Sequence, residues 1–198
     1  MSSDYQKVRN TLGLAQNMPE AVIAMMALTD FVGTLDARLS ALEAAEDTVR
    51  QTWYERSFVQ TQQEAERLQA ILLQTREDAV LQSRDIGMRL DETGYEFLAY
   101  DGHVERWNAV AEDPLLRPRS MPEGLRLSLR LEDRNVQLKP RQPATERDPI
   151  QPQVILQASG EQVPFDVGFA RDGTDERRRV SGTVEGRIEV HDDTREDR

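Results

Sequence analysis

Two histidines, His103 and His191, are the side chains best suited to proton transfer or zinc ligation near neutral pH, and each stands alone. Neither has a second histidine or a carboxylate at the spacing that sets two ligands on one helix face. His103 follows the turn residues Asp101-Gly102 and His191 opens a charged stretch, so both read as solvated. Asp172 with Asp175, and Asp192-Asp193, bring carboxylates close enough in sequence to suggest calcium. However, Asp172-Gly-Thr-Asp-Glu176 lacks the spacing of an EF-hand loop, and an acidic chain places such residues together by chance. Ser159-Gly160 has no Gly-x-Ser-x-Gly around it and reads as a hairpin turn. Gly182-Thr-Val-Glu-Gly186 lacks the lysine of a phosphate loop and reads as a strand whose glycines mark a bulge or a close backbone approach. The basic triplet Arg177-Arg-Arg179 follows an acidic loop and reads as a solvated turn paired locally. No residue is assigned as catalytic, cofactor-binding or metal-binding, no cofactor is implied, and the expectation is that the chain is not an enzyme.

Bulk composition narrows the partners. The 198 residues carry a formal net charge of −11, a field that repels phosphate backbones and argues against nucleic acid. Cysteine is absent, which excludes thiol catalysis, disulfides and cysteine metal sites. The apolar fraction of 38% is low and the charged fraction of 31% high, so part of the chain is expected to be solvated helix surface or tail. The longest apolar run, Ala21–Leu28, is far short of the roughly 20 residues that cross a bilayer. The expectation is therefore no membrane insertion by these residues and no export signal.

The elements that would hold these residues fall into two kinds. A helix opens at Asn17-Met-Pro19-Glu20, with proline tolerated in a first turn and the acid complementing the helix dipole, and is expected to end near Gly33. No glycine or proline occurs between Gly33 and Gly87, so Thr34 to Arg84 is expected to be helical nearly throughout. Leu35, Leu39, Leu42, Val49 and Trp53 keep one face. Phe58, Ala65, Leu68, Leu72, Thr75 and Ala79 keep another, turned by about one position, which is how an ideal helix drifts against a seven-residue repeat. Ala21–Val32 is the expected cover for the first face, folding back as a hairpin, with self-association as the competing way to bury it.

After Gly87 the period changes to two. Ile86, Met88 and Leu90, a turn at Asp91–Gly94, then Tyr95, Phe97 and Ala99 read as a β-hairpin, and Trp107 with Val110 begins another strand. Leu125, Leu127, Leu129 and Leu131 alternate with polar residues, the clearest strand pattern in the chain. Val136 and Leu138 follow a turn. The proline-rich stretch from Lys139 to Pro149 reads as an exposed loop. Val154–Leu156, Phe165–Phe169, and Val184 with Ile188 and Val190 complete an antiparallel meander of about six to eight strands. Residues 191–198 read as a disordered tail.

Taken in order, Glu64-Ala-Glu-Arg-Leu68, Glu77-Asp-Ala-Val-Leu-Gln82, Ile86-Gly-Met-Arg-Leu90, Gly94-Tyr95, Trp107, Leu115-Leu-Arg117, Pro122-Glu-Gly124, Val154–Glu161 and Pro164-Phe165 resemble the family of general secretion pathway protein H. This family comprises minor pseudopilins of the type II secretion system. The resemblance covers residues about 57–190 and leaves residues 1–56 unmatched. It implies an α+β fold, a long pilin-like N-terminal helix packed on an antiparallel β-sheet or β-sandwich domain. It also implies a structural subunit at or near the tip of a periplasmic pseudopilus on the inner membrane, helping to export folded proteins. By the same resemblance the partners are the other minor pseudopilins I, J and K and the major pseudopilin G. Leu68, Leu72 and Ala79 anchor the sheet, Tyr95 and Trp107 lie in the core, and the loop from Lys139 to Pro149 is a contact surface. Residues 1–56 are expected to be a helical segment of unknown origin that replaces the usual hydrophobic prepilin helix. A minor pilin of a type IV pilus has the same plan, and a soluble helical oligomerisation module carrying a β domain also accounts for residues 1–85.

Overall fold

The computed structural model describes residues 19–110, 112–140 and 149–193, with positions 7, 8, 10 and 11 before them. The chain divides into two compact units, Met1–Glu55 and Arg56–Arg198. One helix, α1 (Glu20–Gln82), contributes to both.

α1 starts immediately after Pro19, whose carbonyl accepts from the amides of Val22 and Ile23 at 3.0 and 3.2 Å. It does not end near Gly33, and Ala21–Val32 is part of the same helix, so the expected hairpin is absent. A single glycine costs about 1 kcal/mol against alanine, too little to stop a helix with good formers on both sides. The helix ends by a different route. Arg84 N–H donates to Ala79 O at 3.0 Å and Ser83 N–H to Val80 O at 3.3 Å, with Ser83 at φ 49°. These are the paired bonds of a Schellman cap, closed here by serine in the left-handed conformation that glycine usually supplies.

Among the described residues of the second unit, ten strands make two antiparallel sheets, more than the meander expected. The first sheet orders β3-β2-β1-β7, with β4 also paired to β2. Its strands are β1 (Ile86–Asp91), β2 (Gly94–Asp101), β3 (Arg106–Ala109), β4 (Arg119–Ser120) and β7 (Val154–Leu156). The second orders β10-β9-β8-β5-β6, from β5 (Leu125–Leu131), β6 (Arg134–Val136), β8 (Phe165–Arg171), β9 (Arg177–Gly182) and β10 (Ile188–Asp192). β1 and β2 join through a two-residue turn after the Asp91↔Gly94 pair. There the Asp91 carboxylate accepts from Thr93 N–H at 2.6 Å and Thr93 Oγ1 at 2.8 Å. β5 and β6 join through Glu132 and Asp133, both at positive φ, a twist that matches the strands although neither residue is glycine or asparagine.

One core lies between these layers. Ala65, Leu68, Leu72 and Ala79 of α1 are fully buried with Met88, Leu90, Tyr95 and Phe97 of the first sheet and Leu129, Val167, Phe169 and Val180 of the second. Tyr95 and Phe97 meet edge to face, ring centres 5.9 Å apart. Trp107 is not in this core. It is half-buried on edge strand β3 with its ring 5.2 Å from Tyr100, because β3 pairs Trp107 with Tyr100 on the opposite face of the sheet. Gly87 lies on that face too, where Pro152 and Trp107 approach so closely that a Cβ would clash.

Candidate assembly surface

The residues with chemical potential do not converge. His103 lies exposed in the β2–β3 turn, its amide donating to Asp101 Oδ1 at 2.9 Å. His191 is not in a tail. It sits on β10, opposite Arg179 of β9, with Nε2 2.7 Å from Ser181 Oγ. Asp192 closes the same strand and Asp193 follows it, while 194–198 lie outside the described residues. Among the described residues, no group of three or more His, Cys, Asp or Glu side chains could hold a metal ion. Asp172 instead faces Arg126 at 3.4 Å, and Asp175 is exposed. Ser159-Gly160 is a turn, with Gly160 at φ 85° and its amide donating to Gln157 O at 2.9 Å.

Arg177-Arg-Arg179 is the largest departure from the sequence reading. It is the start of β9, and Val184, expected in a strand, is exposed in the β9–β10 turn. Arg178 points inward and is 5% exposed; its guanidinium carbon lies 4.6 Å from the centre of the Phe58 ring and pairs with Asp192. Arg179 points outward and bridges Asp166 at 3.1 Å and Asp193 at 2.7 Å, which raises its own pKa and lowers that of Asp193. Inward on the same strand, Gly182 lies beneath the Phe165 ring, its cross-strand partner, where a side chain would have no room.

These polar contacts lock α1 onto the second sheet. Gln69 donates to Ile188 O at 3.0 Å, and Arg171 reaches Gln60 Oε1 at 2.9 Å and Glu123 O at 3.2 Å. Glu176 is buried beside Thr61, Arg171 and Arg178. Its pKa is raised above the ordinary carboxylate value, chiefly by burial and against the pull of those neighbours. Tyr95 is buried as well, which pushes its phenol up to about 12. On the first sheet, Arg89 and Glu96 face each other across β1 and β2 at 2.6 Å. Beyond the short β7, the Gln153 side-chain amide continues the pairing by accepting from Leu90 N–H at 2.9 Å and donating to Leu90 O at 3.0 Å. Arg89 with Glu96 and Gln153 with Leu90 tie neighbouring strands of the first sheet, while Gln69 and Arg171 tie α1 to the second.

A family model described as type II transport protein GspH matches residues 64–186, more than half of the chain. The chain belongs to the GspH family. The match begins where α1 becomes buried against the sheets and ends in the β9–β10 turn, so it follows the packed layers. The chain is 33% identical over 133 residues to type II secretion system protein H of Pseudomonas aeruginosa, covering 64% of this chain and 74% of that one. Protein H of Aeromonas hydrophila is 27% identical over 140 residues, covering 68% and 76%. A structure of the minor pseudopilin EpsH from the type 2 secretion system of Vibrio cholerae superposes with a TM-score of 0.53 at 25% identity, covering 67% of this chain and 97% of EpsH. The solution structure of E. coli GspH agrees in fold, with a TM-score of 0.51 at 22% identity over 71% of this chain and 94% of that one.

The expected anchors Leu68, Leu72 and Ala79 are all fully buried. Sequence reasoning missed Arg178, Arg171 and Glu176, because a buried arginine on a strand looks like a wet position. The acidic residues nearby were the available signal. The loop expected as a contact surface has Lys139, Pro140 and Pro149 at its ends, and its middle, 141–148, lies outside the described residues. Beside Pro140, a groove of about 320 Å³ is lined by Asp91, Glu92, Thr93, Arg126 and Leu138. Among the described residues no helix is long and apolar enough to cross a membrane.

Proposed function

We propose that this chain is a noncatalytic minor pseudopilin of a type II secretion system, a structural subunit at or near the pseudopilus tip that helps export folded proteins across the outer membrane. The observation that carries the reading is the family match over residues 64–186, which spans most of the buried part of α1 and nine of the ten strands among the described residues. Its place is the periplasmic side of the inner membrane, and its partners are the minor pseudopilins I, J and K and the major pseudopilin G. The polar groups of the β unit support a packing role: Arg178, Arg179, Arg171 and Gln69 are engaged in joining helix and strands. The domain division that accompanies this reading places the pseudopilin-like part at 57–190, with residues 1–56 as a separate helical segment.

Titration of the full chain with soluble ectodomains of I, J, K and G tests it, read by calorimetry. Saturable binding to at least one minor pseudopilin is expected, weakened when residues 139–149 are replaced by a glycine-serine linker. Binding to none of the four overturns the proposal. Stabilisation by calcium, reversed by chelator, would instead assign a cation role to Asp172 and Asp175.

A further inference from the structure

The helical segment of the first unit carries a pattern that the pseudopilin reading does not use, since it lies outside the family match. From Met25 to Trp53 apolar residues recur at alternating steps of three and four. Met25, Val32, Leu39 and Trp53 fall at heptad position a and Leu28, Leu35, Leu42 and Val49 at d, with Glu46 at the remaining a. Every apolar member is exposed, from 46% at Leu35 and Trp53 to 69% at Val49. The buried Ile23 falls at f, on the opposite face, so whatever covers it leaves the seam open. A straight helix loses register with a seven-residue repeat, whereas two supercoiled helices keep it. Four such heptads are enough to specify a coiled coil.

We propose that residues 25–53 form a parallel, in-register two-stranded coiled coil with a second copy of this chain. Leucine holds three of the four d positions and no β-branched residue stands at d before Val49, with β-branched Val32 at a, a pattern that fits two strands. A single polar a residue, Glu46, sets the register at a cost in stability. Charge at the flanking e and g positions favours the parallel orientation. In a parallel pair Arg38 at g faces Glu43 at e of the second copy, twice by symmetry. An antiparallel pair overlapped about its midpoint instead sets Asp36 against Glu43 of the second copy, acid against acid. In the parallel pair the two Glu46 carboxylates meet across the seam. Arg50 is one turn away on the same helix, held by Asp47 at 3.5 Å. The proposal concerns residues outside the GspH match and stands whether or not the secretion role does.

Sedimentation equilibrium of the full chain over a concentration series measures the association. A monomer–dimer equilibrium is expected. Leu39→Asp should weaken it by about tenfold or more, and Glu46→Leu should tighten it by about tenfold, a gain that misfolding cannot produce. Because the chain has no cysteine, Val32→Cys and Val49→Cys can each be oxidised alone. Both should give disulfide-linked dimers, whereas antiparallel helices bring at most one of these positions together. A chain that stays monomeric even as Glu46→Leu, a trimer, cross-linking at one site alone, or pairing of this seam with a pseudopilin ectodomain in place of a second copy would each overturn the proposal.

Discussion

Leu72 and Leu81 lie on the same helix, nine residues apart, and differ in one respect: Leu72 is fully buried and Leu81 is 81% exposed. Changing each to alanine alters helix propensity only slightly, and less at Leu81 in the last turn, so the difference between the two variants chiefly reports packing. At Leu72 the substitution removes three carbons from a site enclosed by both sheets, about 2 kcal/mol of transfer free energy at 0.8 per methylene. The residual cavity adds to this, for a total of about 3 to 4 kcal/mol. At Leu81 the expected cost is within about 0.5 kcal/mol. Urea unfolding in a Trp53→Phe background leaves Trp107, on β3, as the reporter of the β unit. With a slope of about 2 kcal/mol per molar, Leu72→Ala should lower the midpoint by about 1.5 to 2 M at unchanged slope, and Leu81→Ala should leave it in place. Similar shifts for the two variants would mean that α1 does not pack on the sheets as described.

Arg178→Ala should cost about 2 kcal/mol by removing the cation over Phe58 and the partner of Asp192, which is itself partly solvated, while Arg177→Ala, exposed on the same strand, should cost less than about 0.5 kcal/mol in the same assay. Glu176 has a folded pKa raised above 4.5, so between those values the folded state binds more protons than the unfolded and stability falls as pH rises. Glu176→Gln should therefore flatten a midpoint-versus-pH profile just above pH 4.5, and an unchanged profile would refute the burial argument. Ser83→Gly should raise stability by about 1 kcal/mol, since glycine enters the left-handed cap without the Cβ penalty; a loss would mean that the serine side chain matters more than its backbone.

Much of the β unit was legible because its signals are local. The alternation from Leu125 to Leu131 is β5 with its leucines inward, and the turn chemistry of Asp91–Gly94 closes the hairpin expected there. Leu68, Leu72 and Ala79 were recognisable from helical spacing alone, because one face of a helix must be apolar to pack. The misses have a common cause. β9 places Arg178, Val180 and Gly182 inward, a pattern that hydropathy scores as wet, and each of the two odd residues is explained by a partner distant in sequence, Phe58 or Phe165. His191 and Asp192 looked like tail for the same reason, since their strand exists through pairing with β9.

By itself, the sequence determined the periods: helix through the glycine- and proline-free stretch from Thr34 to about Arg84, strands from Ile86 onward, an acidic composition and a chain free of cysteine. These follow from backbone sterics and from solvation of each residue where it stands. Tertiary structure alone decided that β7 joins β1 and that β8 separates β5 from β9, pairings across many residues that no local pattern encodes. It also decided that an arginine and a glycine belong inside β9, because whether burial of a charge or the absence of a side chain is favourable depends on what another part of the chain brings to the same point.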